Sequence, residues 1–142
     1  MNEPLPFLLR IAGAGLILLA ALHVQIGRHL KWNEDIRKLS LINASIFRVH
    51  AFFICFILVM MGLPCLLKPV VFLERSIASS WIAWSFSAFW LTRLFVQWFV
   101  YPTELWRGKK FETFMHACFS IFWLFLAIVF AACAMSRKPW VH

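Results

Sequence analysis

The sequence predicts an all-α integral membrane protein, a four-transmembrane-helix up-down bundle with a short interfacial helix between helices 1 and 2. Two observations lead there. The chain is 63% hydrophobic with a mean hydropathy of +0.80, well above the roughly 45–50% apolar content of soluble domains, and a soluble fold of this size could not hide that much apolar surface. Its length of 142 residues leaves room for about four spans of about 20 residues joined by short loops, and for no separate soluble domain. A single membrane domain with spans at about 7–24, 46–67, 77–101 and 111–135 is therefore expected.

The first span contains the apolar run Ile11 to Leu22. Arg10 lies near enough to its start to snorkel, and Gly13 and Gly15 permit close helix approach. No small-x-small cleavage site follows the run, so an uncleaved helix is expected in place of a signal peptide. The second span opens after Ser45, a candidate N-cap, and Pro64 bends or ends its last turn. The third follows Ser76 and stops at Tyr101, because Pro102 disfavours helical geometry in the residue before it. The fourth begins near Phe111.

Between the first two spans, Gly27 to Asn43 is too polar to cross a bilayer. Trp32, Ile36, Leu39 and Asn43 recur at helical spacing among Arg28, Lys31, Arg37 and Lys38. This segment reads as an interfacial helix, either a basic platform for anionic lipid headgroups or a loop resting on them.

Basic residues set the expected orientation. Arg28, Lys31, Arg37, Lys38, Arg48, Arg107, Lys109 and Lys110 fall on one side, against Arg10, Lys68, Arg75, Arg137 and Lys138 on the other. The richer side should be cytoplasmic. In a bacterial host this means the inner membrane, with both termini periplasmic. The net charge of +8 suits contact with anionic headgroups, whereas nucleic acid is not an expected partner, because the charges form no stripe on a soluble face.

Polar groups inside the spans carry the functional expectation. His23, His50 and His116 fall near the ends of three separate spans, and a fold-back would bring them to one side. Three imidazoles from three helices could hold iron, copper or zinc, and two could serve as axial ligands to a haem. Arg93 lies deep in the third span, where a charge costs about 2.5–3.5 kcal/mol unless compensated. Glu112, Glu104, a bound anion or water are its candidate partners. Gln97, one turn away on the same face, could donate a hydrogen bond to a cofactor, and Glu112, four residues before His116, could orient that imidazole. Trp106 and Arg107 could cap the site. A quinone or lipid headgroup is the alternative ligand, with His and Arg donating to carbonyl or phosphate oxygens. The plain alternative for each histidine is an interfacial side chain bonded to a neighbouring helix or a headgroup. His29 and His142 read as solvated surface residues.

Cys55, Cys65, Cys118 and Cys133 include no Cys-x-x-Cys pair, and read as small buried hydrophobes. The 16 Phe and 8 Trp could cradle a flat cofactor, although Trp81, Trp98, Trp106 and Trp140 fall where an aromatic belt belongs. Nucleophile elbows and phosphate-binding glycine loops are absent from the sequence. With six acids in the whole chain, composition argues against a carboxylate-rich di-iron centre and against an ion-coupled carrier relying on intramembrane carboxylates.

The residues name no reaction. The expectation is a polar cluster that binds a metal, haem or quinone and supports electron transfer or cofactor maturation within a larger membrane complex. Two others compete with it. One is a non-catalytic accessory subunit packed against other membrane proteins; the other is a homo-oligomer that binds lipid or forms a channel.

Overall fold

The structure, a computed structural model, describes residues 4–74 and 76–136. Arg75, Arg137, Lys138, Trp140, His142 and the His29 side chain lie outside the described residues. The described chain is helical, in the order α1 (Pro4–His29), α2 (Trp32–Ile36), α3 (Leu41–Leu67), a 3-10 turn (Pro69–Phe72), α4 (Ile77–Phe95), a π-turn (Val96–Val100), a second 3-10 turn (Thr103–Leu105) and α5 (Lys110–Met135). Among the described residues, three helices are long and apolar enough to cross a membrane: α1 over Pro4–Arg28, α3 and α5. That is the make-up of an integral membrane protein. At 19 residues α4 is long enough, but Ser79, Ser80, Ser85, Ser87, Thr92 and Arg93 hold it below the hydropathy of the other three.

Two compact units share the chain, one of Phe7–Pro69 and the other of Val70–His142 together with Met1–Pro6.

In the first unit, α1 and α3 approach at Gly13 and Gly62. A Cβ on Gly13 would stand 2.7 Å from the Gly62 carbonyl oxygen and 2.7 Å from the Leu66 nitrogen, so only hydrogen fits there. This is the small-residue contact through which apolar helices gain van der Waals packing without a hydrophobic drive between them. The Cys55 thiol adds a weak bond from α3 to the Ala20 carbonyl of α1, at 3.8 Å. The expected cap at Ser45 is corrected. α3 starts a turn earlier, capped by Ser40, whose hydroxyl accepts from Asn43 N, while Ser45 lies inside the helix and donates to the Leu41 carbonyl at 2.9 Å. Pro64 stands within α3, which ends shortly after it at Leu67. The basic segment holds the short helix α2, whose Glu34 and Asp35 pair with Lys31 at 3.8 Å and Lys38 at 3.1 Å.

In the second unit, α4 packs along α5. Ser76 caps α4 as its sequence position predicts, accepting from Ser79 N at 3.1 Å. The interface is built of Ala83, Ser87 and Trp90 against Trp123, Ala127 and Phe130, all buried. Ser87 donates to the Ala127 carbonyl at 2.9 Å. Trp90 and Trp123 stack face to face, with centroids 5.0 Å apart and planes 10° apart. Their indole N–H groups are buried without a hydrogen-bond partner among the described residues. Phe72, Phe86 and Phe130 close one end of this core.

Candidate functional site

A cluster of polar groups grows out of a local accident at the end of α4. Pro102 stops the helix, and the last residues relax into a π-turn in which Tyr101 N bonds to Val96 O at 3.3 Å. The next donor in that pattern would be residue 102, and proline has no N–H. The Gln97 carbonyl is thus left for another donor, and Nε2 of His116 on α5 lies 3.1 Å from it. A carbonyl oxygen can only accept, so His116 carries its proton on Nε2 and leaves Nδ1 as an acceptor.

Other contacts lock the same imidazole. Trp106 stacks on it at 4.0 Å between centroids, with planes 25° apart. The Trp106 carbonyl in turn accepts from the Thr113 hydroxyl at 2.7 Å. One turn along α5, the Trp98 indole donates to Ser120 Oγ at 2.9 Å, and Ser120 donates to the His116 carbonyl at 2.8 Å. His116, Trp106, Gln97, Tyr101, Glu112 and Phe119 line a recess of about 210 Å³.

Arg93 is half-buried and, among the described residues, compensated without a carboxylate. It donates to the Gln97 side-chain oxygen at 3.2 Å. Its guanidinium lies 5.4 Å from the Tyr101 ring centre and 5.3 Å from that of Trp123. Ring faces attract a desolvated guanidinium electrostatically, so they stand in for the missing anion. Gln97, itself buried, serves both neighbours, its amide oxygen facing Arg93 and its main-chain carbonyl facing His116.

The structure therefore draws Arg93, Gln97, Trp106, Glu112 and His116 into one neighbourhood. Glu112 is exposed at the rim of the recess, and Gln97 is the residue that holds His116. Arg107 is exposed on the connecting turn. In the other unit, Nδ1 of His23 donates to Leu19 O at 3.1 Å and Nδ1 of His50 donates to Ile46 O at 2.8 Å. Each ring is thereby satisfied by its own helix, with Nε2 as the remaining acceptor. His50 is exposed, whereas His23 lines a separate recess formed with α2 and α3. Among the described residues, no group of three or more His, Cys, Asp or Glu side chains could hold a metal ion. Cys65 and Cys133 are fully buried, whereas Cys55 is half-buried and Cys118 is exposed, against the expectation of a buried hydrophobe.

The π-turn and the role of Trp123 were missed in the sequence. Pro102 following a polar Gln97 was the available signal for the first. For the second the signal is helical spacing, since Glu112, His116, Ser120 and Trp123 recur at four, four and three residues along one face, although nothing in it points to Arg93, thirty residues away.

Comparison with known protein families, with curated proteins and with solved structures finds no match.

Proposed function

We propose that this protein is a small membrane subunit that binds the ring of a quinone at the His116 recess and supports electron transfer within a larger membrane assembly. The observation that carries the reading is the His116 imidazole, stacked on Trp106 with its Nε2 proton committed to Gln97. A flat ring finds aromatic faces in Trp106, Tyr101 and Phe119. His116 Nδ1 can accept a hydrogen bond from a quinol hydroxyl. Glu112 stands exposed at the rim of the recess. At about 210 Å³ the recess is below the roughly 300–1,000 Å³ of sites that enclose a whole ligand, which suits a headgroup whose tail stays in lipid. The same size disfavours a haem, and among the described residues His116 belongs to no group of three or more side chains that could hold a transition metal.

In this reading α4 is a fourth membrane-crossing helix, as the four-transmembrane-helix expectation requires. The basic loops face the cytoplasm, and a bacterial inner membrane is the expected home. A second reading rests on α3, where Phe52, Phe53 and Phe56 form an exposed aromatic cluster. It makes the protein an accessory subunit whose contact area is that face, with no cofactor of its own.

Counting quinone separates the two. Protein purified in mild detergent is extracted and its quinone measured per chain, beside His116→Ala and Trp106→Leu. The first reading expects a near-stoichiometric quinone that both variants lose while remaining folded. Equal quinone in all three proteins, or none in any, overturns it and favours the accessory subunit.

A further inference from the structure

The second recess, in the other unit and independent of the quinone reading, has a different chemistry. It holds about 390 Å³ between the last turns of α1, the short α2 and the first half of α3. On α3 its lining runs Arg48, Ala51, Phe52, Cys55, the three-and-four spacing of a single helical face. That stripe passes from a guanidinium into apolar helix. On α1 it includes His23 and Arg28, the end of a span-length helix.

Charge in this region is unevenly matched. Glu34 and Asp35 on α2 are engaged by Lys31 and Lys38. Arg28 and Arg48 have no ion pair among the described residues. His23 lines the same recess, its Nδ1–H donating to Leu19 O. Guanidinium groups bind phosphate oxygens through paired, charge-assisted hydrogen bonds.

We infer that this recess binds one anionic phospholipid, its phosphate at Arg28 and Arg48 and an acyl chain along Ala51, Phe52 and Cys55. The apolar wall decides the source of the phosphate. A free phosphate ion gains nothing from a phenyl ring and a thiol below the arginines, whereas an acyl chain is removed from water along them. The position agrees, because Arg28 stands at the end of α1 and Arg48 in the first third of α3, near headgroup level, and the wall continues toward mid-span. α2 and Trp32 form the outer side of the recess, so the interfacial segment becomes one wall of a lipid site.

The test is native mass spectrometry of the full chain in neutral detergent, titrated with phosphatidylglycerol or phosphatidylcholine. One phosphatidylglycerol per chain should survive activation that strips phosphatidylcholine. Arg28→Gln with Arg48→Gln should weaken it roughly 30-fold, about fivefold for each cation removed near an anionic headgroup. Lys31→Gln with Lys38→Gln, outside the recess, should change it by less than about threefold, since exposed paired lysines contribute little. Ala51→Phe fills the recess at unchanged charge and should also release the lipid, which decides the matter if the arginine variant does not fold. Equal retention of both lipids, equal loss in the lysine variant, unaltered binding in Ala51→Phe, or displacement by inorganic phosphate would each overturn the inference.

Discussion

Nε2 of His116 donates to the main-chain carbonyl of Gln97 at 3.1 Å, and the reason lies five residues beyond Gln97, where Pro102 lacks the N–H that the π-turn would use next. The histidine that most invites a chemical role is thus also a structural plug. That dual character fixes its tautomer and leaves Nδ1 as the atom available to a ligand.

The plug should be measurable. His116→Ala leaves a half-buried carbonyl unsatisfied and is expected to cost about 1–3 kcal/mol. In a Pro102→Ala background, where an N–H is restored, the same substitution should cost less. Unfolding of the four proteins in detergent forms a double-mutant cycle; equal penalties in both backgrounds would sever the link between Pro102 and His116.

Arg93 and Gln97 form a second coupled pair. Gln97→Leu removes the oxygen facing the guanidinium and should destabilise by about 1–3 kcal/mol, the cost of a charged donor losing a buried partner. In an Arg93→Met background that cost should shrink, because no charge remains to satisfy. Thermal unfolding of the two single variants and the double variant measures this.

At Gly13 a Cβ would meet two backbone atoms at 2.7 Å, and backbone cannot rotate away. Gly13→Val should therefore destabilise the α1–α3 contact by about 1–3 kcal/mol, the range for overpacking. Protection of α3 amides from hydrogen exchange is the readout, and undiminished protection would show that the helices do not depend on this approach.

The cap of α3 offers a local check. Ser40→Ala should cost about 0.5–2 kcal/mol, the range for loss of an N-cap oxygen, whereas Ser45→Ala removes only a bond to its own helix and should be close to neutral. A larger loss at Ser45 would return the helix start to that position.

How far the sequence could be read follows the same physical divide. Ser76 and Pro102 act through their own neighbours, so the bounds of α4 were legible. Ser40 and Ser45 are both competent caps, and the apolar run starting at Ile46 pointed to the wrong one, because Asn43 and Ser45 remain helical despite their polarity. For Arg93 the candidate partners are Glu112, Glu104, a bound anion or water, yet Tyr101 and Trp123 face it with their rings, which composition does not advertise. Glu112 stands four residues before His116 and could have reached it along the helix, but the Gln97 carbonyl, freed by a proline on another element, faces the ring nitrogen. His23 and His50 illustrate the opposite case. Their bonds to Leu19 and Ile46 lie within one helix turn, so neither ring needs a tertiary partner.

The central claim, a quinone ring at His116, is tested most directly by photolabelling. A quinone analogue carrying a ring azide is activated in the presence of the bilayer-reconstituted protein, and the adduct is mapped by peptide sequencing. Label confined to the stretch from Gln97 to Phe119, and abolished by excess unlabelled quinone or by His116→Ala, is the predicted result. Label spread along α1 and α3, or undiminished by competitor, would contradict it.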